Sequence, residues 1–160
     1  AIVTGSSRGI GKGIAQELLG AGAKVIINGR SEERLQATKV ELKKISDDVH
    51  YYCCDVTNTE SAKELIEFTI KTYGRLDILI NNVGVSSRGN VVDCEPEVFE
   101  RVMSSNFMGS VNPTIYALEY LKKNLSSEII IKKKITNDIA VKSICFPNEL
   151  FKEKKSMSSK

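Results

Sequence analysis

Tryptophan is missing from this 160-residue chain, and histidine occurs once, as His50. A single imidazole ahead of a strand-like run cannot build a histidine catalytic or metal centre, so it reads as structural or surface. Cysteine is scarce. Cys53 and Cys54 are neighbours that face opposite ways on a strand, while Cys94 and Cys145 stand alone. Metal-ligand spacing is therefore absent, and the reduced thiols of a cytoplasmic setting are the default. No apolar run nears the ~18 residues that cross a bilayer, and no leader-like segment opens the chain, so any membrane anchor is expected outside it. A net charge of only +3 argues against nucleic acid as a partner. The chain also lacks an initiating methionine and starts inside an apolar run, which makes it look clipped.

Glycine is unevenly spread: all 11 lie at or before Gly109. Lys and Arg number 15 against 16 acids before residue 126, and 8 against 4 after it. A glycine-free, lysine-rich end is foreign to a fold of short alternating units, which needs a turn signal every dozen residues or so. We therefore divide the chain into a domain over residues 1–131 and a partly disordered Lys-rich tail over 132–160. Lys132-Lys133-Lys134 reads as solvated tail rather than as a lipid contact.

What is present is concentrated at the start. Ala1-Ile2-Val3-Thr4 runs into Gly5-Ser6-Ser7-Arg8-Gly9-Ile10-Gly11. Gly5 permits a sharp turn off a strand, Gly9 lets backbone N–H groups approach a pyrophosphate, and Gly11 lets a helix pack close to the sheet. An ordinary turn is the plainer reading of the same glycines. Ile10, Ile14 and Leu18, with Leu19 and Ala21 beside them, then repeat at helical spacing. Gly20 and Gly22 stop that helix before the apolar run Val25-Ile26-Ile27. Strand, turn, helix and strand make a βαβ unit. Where a free ribose 2′-hydroxyl would call for an acid, the second strand ends in Asn28-Gly29-Arg30. A guanidinium there suits a 2′-phosphate, which makes NADP(H) the expected cofactor. Arg8 and Arg34 add positive charge on the same side, or, for Arg34, serve only as solvated surface.

Further along, Cys54-Asp55-Val56 closes a third strand and Leu79-Ile80-Asn81-Asn82-Val83-Gly84 a fourth. Asp55 is placed to accept from an adenine amino group or to cap the helix that starts near Asn58, which Thr57 or Asn58 can cap instead. Taken with the glycine turn, these segments resemble the short-chain dehydrogenase/reductases. That resemblance implies that Asp55 and Val56 hold the adenine, and that Asn82, Val83 and Gly84 steady the central strand and line the cofactor cleft. It also implies that Asn106 holds a water of a proton relay, although an asparagine mending a helix irregularity reads equally well.

A narrower likeness covers Val98 to Pro113 and Ser31 to Ala37, which are similar to the NADPH-dependent 3-ketodihydrosphingosine reductases. It implies a small lipid-like ketone as substrate, a role in sphingolipid synthesis and a place at the cytosolic face of the endoplasmic reticulum. The family's serine and Tyr-x-x-x-Lys are missing: four residues beyond Tyr51, Tyr52, Tyr73, Tyr116 and Tyr120 stand Asp55, Val56, Asp77, Tyr120 and Asn124. Two readings follow. One is the cofactor-binding half of an NADPH-dependent ketone reductase, for a sphingoid base or for a 3-ketoacyl or steroid ketone. The other is an inactive chain that binds nucleotide or pairs with a full-length partner.

The expected fold is α/β, a doubly wound parallel sheet of strand order 3-2-1-4-5, incomplete on its C-terminal side. Helices are expected around Leu35 to Ile45, Ala62 to Tyr73, Glu95 to Met108 and Pro113 to Leu125. The last, with Ile115, Leu118, Leu121 and Leu125 inward, is the expected surface for a homo-oligomer. Val85 to Asp93 reads as a polar loop over the cleft. Strand five, Glu128 to Ile131, is an open edge unless the stretch from Ile135 to Phe146 covers it.

Overall fold

Neighbouring residues of each central strand go to opposite sides, and this alternation builds two cores. Ile2, Ile26 and Leu79 pack to one side with Val56, Leu65, Ile66, Ala117 and Leu121. Val3, Val25, Ile27 and Ile80 pack to the other with Ala15, Leu19, Leu35 and Leu42. Strands buried on both faces carry near-continuous apolar runs, as parallel sheets require. The computed structural model describes residues 1–87, 91–123, 128–135 and 138–145.

The strands are β1 (Ile2–Val3), β2 (Val25–Gly29), β3 (Val49–Cys53), β4 (Ile78–Asn81), β5 (Glu128–Ile135) and β6 (Asp138–Cys145). They form one sheet in the order β3-β2-β1-β4-β5-β6. The first five pair in parallel in the expected order 3-2-1-4-5. β5 runs four residues past its expected end, and β6 returns antiparallel along it, with Glu128 opposite Cys145 and Ile135 opposite Asp138. The edge of strand five is thus covered from within the 135–146 stretch. The remaining tail residues, 136–137 and 146–160, lie outside the described residues.

Between the strands run α1 (Gly9–Gly20), α2 (Glu32–Leu42), α3 (Thr59–Tyr73), α4 (Pro96–Met103) and α5 (Gly109–Leu121). Caps mark several of their ends. The Ser31 hydroxyl accepts from Arg34 N–H at the start of α2, Asn58 accepts from Ser61 N–H at the start of α3, and Gly74 closes α3 at φ 74°.

α1 packs on the side that Gly11 leaves free, as expected, and three other expectations need correction. The face of α1 that meets the sheet is Gly11, Ala15 and Leu19, whereas Ile10 is exposed. Ile10, Ile14 and Leu18 instead line an open apolar groove of about 600 Å³ with Ile78, Ile80 and Ile130. Gly11 has no side chain to hold the helix off, so its own stripe approaches most closely. Pro113, expected to start a helix, sits inside α5 and is buried. A π-helical turn, Ser104–Met108, joins α4 directly to α5, and this widened turn precedes the place where proline withholds an N–H from the ladder. Ile115 is exposed rather than inward, and Ile45 lies past the end of α2, also exposed. Leu125 and residues 88–90 of the expected polar loop lie outside the described residues; Val91–Asp93 form a 3₁₀ turn.

Candidate functional site

β1 and β4 are adjacent strands from which the chain proceeds in opposite directions across the sheet, so a crevice opens beyond their C-terminal ends. Such switch points are where open α/β sheets bind ligands. The turn after β1 occupies this crevice. Gly5 and Gly9 take φ values of 60° and 58°, the left-handed region that favours glycine. A Cβ on Gly9 would meet nothing within 4 Å, so that side of the turn is open to an approaching group. A Cβ on Gly11 would lie 2.5 Å from Asn82 Nδ2, 2.6 Å from the Gly5 carbonyl and 2.8 Å from Ser6 Cα. Gly11 therefore closes the turn from inside. Arg8, the N-cap of α1, makes no side-chain capping bond. The first N–H groups of α1 have no intrahelical acceptor and stand ready for an anion, favoured by the helix dipole.

Ser6 ties the turn to β2. Its N–H donates to the Asn28 carbonyl at 2.8 Å, and its hydroxyl accepts from Asn28 N–H at 3.0 Å and donates to the Val3 carbonyl at 2.5 Å. Asn82 ties it to β4, its amide donating to both the Thr4 and Gly5 carbonyls at 2.9 Å. The Thr4 hydroxyl completes this junction by accepting from the N–H groups of Asn82 (3.0 Å) and Val83 (3.3 Å). Val83 is wedged between glycines: Cβ atoms on Gly5 and Gly109 would come within 3.1 and 3.3 Å of its two methyls. Gly84 lies against Asn106, whose Oδ1 would sit 3.0 Å from an added Cβ.

Arg30 follows directly on β2 and reaches Asp55 beyond the end of β3, with Nη1 3.6 Å from Oδ2. The Arg30 side chain is 74% exposed and accessible to a ligand. The other carboxylate oxygen of Asp55 accepts from the Thr57 N–H at 3.0 Å and hydroxyl at 2.8 Å. Burial works against the charge of Asp55, but the Thr57 bonds and Arg30 more than offset it and hold the carboxyl below its ordinary range. Asn58, not Asp55, caps α3. Val56 is buried, and its carbonyl and that of Thr57 accept from the Asn112 amide at 3.3 and 2.8 Å. Arg34 is exposed in the first turn of α2. Ser7 is half-buried, and Ile10 turns away into the apolar groove.

Asn106 sits in the π-helical turn. Its Oδ1 accepts from Val85 N–H at 2.7 Å and its Nδ2 donates to the Val85 carbonyl at 2.9 Å. The side chain therefore joins the helix irregularity to the segment leaving β4. Burial pushes the thiol of Cys54 up to about 12, and burial with Glu32 raises Cys53, so neither is a thiolate nucleophile near neutral pH. Among the described residues no His, Cys, Asp or Glu cluster suited to a metal occurs. His50 and Tyr73, 3.0 Å apart, lie at the opposite end of the sheet beside Asp48.

Thr4, Asn28 and Asn112 shape the crevice without having been singled out from the sequence. One signal was available: Asn28 ends an apolar strand, where a buried amide requires partners. Its Nδ2 finds the Tyr52 and Cys54 carbonyls at 3.0 and 3.2 Å.

Comparison with known proteins agrees with this geometry. Residues 1–135 match the family described as short chain dehydrogenase. An oxidoreductase of Thermotoga maritima is 36% identical over 79% of this chain and 53% of its own. A 3beta-hydroxysteroid dehydrogenase of Eggerthella lenta is 31% identical over 82% and 51%. A crystal structure of a metagenomic short-chain oxidoreductase in complex with NADP superposes with a TM-score of 0.75 at 26% identity, covering 81% of this chain and 59% of that one. The chain spans about half the length of these curated relatives. With its sheet order, glycine turn and crevice matched over 135 of 160 residues, this chain belongs to the short chain dehydrogenase family.

Proposed function

We propose that residues 1–131 form the NADP(H)-binding half of a short-chain reductase. The observation that carries this reading is the open, uncapped start of α1 beside Gly9, with Arg30 rather than an acid following β2. The pyrophosphate lies on the α1 N-terminus, Arg30 grips the 2′-phosphate with Arg8 and Arg34 adding charge, and Asp55 and Val56 face the adenine. Asn82, Val83 and Gly84 line the nicotinamide end, where Asn106 holds a relay water. The NADP complex of the structural neighbour supports this choice of cofactor. The bound nicotinamide would supply a hydride to a ketone carbon.

The substrate is a small lipid-like ketone, the 3-keto group of a long-chain sphingoid base, as the Val98 to Pro113 stretch suggests. The steroid dehydrogenase among the relatives supports a second reading, a 3-ketosteroid. A lipid substrate places the site near the cytosolic face of the endoplasmic reticulum; among the described residues no helix is long and apolar enough to cross a membrane. Hydride delivery leaves an alkoxide that needs a proton, and general acid catalysis contributes about 100- to 10,000-fold. Since no tyrosine here has a lysine four residues on, these 160 residues bind cofactor without reducing a ketone by themselves. They pair with another copy through α5, where Ile115 is exposed, and within the lysine-rich stretch residues 138–145 contribute an antiparallel edge strand. Titration with NADPH and NADH tests the central assignment: tighter NADPH is expected, and equal affinities overturn it.

A further inference from the structure

Threonines in helices commonly return their hydroxyl to the carbonyl four residues back. Thr69 and Thr72 of α3 do so, donating to Leu65 and Phe68 at 2.8 Å. Thr38, in the middle of α2, does not. It is 3% exposed, and its hydroxyl leaves the helix to donate to the Ser7 carbonyl, also at 2.8 Å and 31 residues away. Ser7 lies between the two left-handed glycines of the turn after β1. Three other main-chain groups of that stretch are held from β2 and β4: the Ser6 N–H by the Asn28 carbonyl, and the Thr4 and Gly5 carbonyls by the Asn82 amide. Ser7 is fixed from the other side of the site, by α2. The end of β2 is cut to fit it: a Cβ on Gly29 would come within 3.2 Å of Ser7 Oγ.

A trans peptide is planar, so its C=O and N–H point in opposite directions. Anchoring the Ser7 carbonyl inward on Thr38 therefore turns the N–H of Arg8 outward, at the N-cap of α1. We propose that Thr38 is a positioning residue for anion binding: through Ser7 it aims the Arg8 N–H at the pyrophosphate of a dinucleotide. This rests on the NADP(H) reading above and adds a residue from α2 that touches no part of the ligand. α2 thereby serves both ends of the cofactor's adenosine half, with Arg34 near the 2′-phosphate side and Thr38 behind the pyrophosphate turn.

The test compares two ligands in four proteins. NADPH engages the pyrophosphate turn, whereas 2′-AMP, followed by competition against NADPH, has no pyrophosphate and meets the arginine side chains and Asp55 at the 2′-phosphate and adenine end without using the Arg8 N–H. Thr38→Val keeps the volume and removes the hydroxyl, Thr38→Ala removes both, and Thr38→Ser restores the donor. Loss of one neutral hydrogen bond corresponds to about a three- to tenfold weaker NADPH for T38V and T38A. Both should leave 2′-AMP within about twofold of the parent, with T38S near the parent for both ligands, on the scale of that same bond. T38A keeps the comparison available if the buried valine hinders folding. Unchanged NADPH affinity, equal losses of both ligands, or failure of T38S to restore binding overturns the positioning role. A parent chain that binds neither ligand overturns the cofactor reading instead, and is distinguishable because it needs no variant.

Discussion

Gly11 and Gly13 lie on the same helix two residues apart, and one methyl group added to each should move stability in opposite directions. Alanine is favoured over glycine in a helix interior by roughly 0.8 to 1 kcal/mol. Gly13 is exposed and a Cβ there meets nothing within 4 Å. Gly13→Ala should therefore stabilise by close to that amount, raising the melting temperature by about 2 to 4 °C for a chain of this size. At Gly11 the same methyl would sit 2.5 Å from Asn82 Nδ2 and 2.6 Å from the Gly5 carbonyl. Overpacking costs about 1 to 3 kcal/mol. Moving the Asn82 amide also strains two hydrogen bonds of 2.9 Å, each contributing about 0.5 to 1.5 kcal/mol. Less the propensity gain, Gly11→Ala should destabilise by about 2 to 4 kcal/mol, lowering the melting temperature by about 5 to 15 °C. Thermal unfolding followed by circular dichroism reads both variants. Shifts of the same sign, or a G11A chain as stable as the parent, would refute the claim that contact at the turn, not helix propensity, requires glycine at position 11.

Arg30→Ala should erode the preference for NADPH over NADH by about tenfold, the low end for a charged hydrogen bond given how exposed the side chain is; an unchanged ratio by calorimetry would remove Arg30 from the 2′-phosphate site. Burial, with Lys39 and Lys43, lowers the pKa of His50 in the fold, and Asp48 opposes this only partly. Because its unfolded value is near 6.5, the stability it contributes is present above that pH and lost as pH falls through the folded value. The melting temperature of His50→Gln should fall less than the parent's between pH 7 and pH 5, and parallel curves would contradict this. Purified chain with NADPH and 3-ketodihydrosphingosine should show no loss of near-ultraviolet cofactor absorbance above background; turnover near the ~10 per second typical of enzymes would reveal another proton donor.

The sheet order was legible because the sequence alternates apolar strands with helical repeats, and the capped ends of α2 and α3 each sit on residues with local capping chemistry. Asn58 and Gly74 need no distant partner to act, which is why they can be read one residue at a time. The orientation of α1 was legible from Gly11, which lets a helix come close to the sheet, but not from the apolar spacing. Stripes 10/14/18 and 11/15/19 are both apolar at helical spacing, and the choice between them is made by the space available at Gly11. Pro113 misled because its usual place is a helix start, whereas the preceding turn at Ser104–Met108 is a continuing, widened helix. The polar ties of the crevice were hidden for a third reason. Ser6 meets Asn28 across 22 residues of sequence and Thr4 meets Asn82 across 78, so no local pattern announces them. The pairing of Arg30 with Asp55 likewise appears only once β2 and β3 lie side by side.

The junction of Thr4, Gly5, Asn82 and Val83 also bears on how a ligand would be met. Prising β1 from β4 at this point would strand the two carbonyls that the Asn82 amide holds, together with two main-chain N–H groups that share one hydroxyl. Each such orphan costs about 1 to 3 kcal/mol when buried, so the floor of the crevice behaves as a rigid plate and not as a jaw. The ordering entropy of that floor is spent when the chain folds, before any ligand arrives. Affinity is then set by the fit of the ligand to a surface already in place.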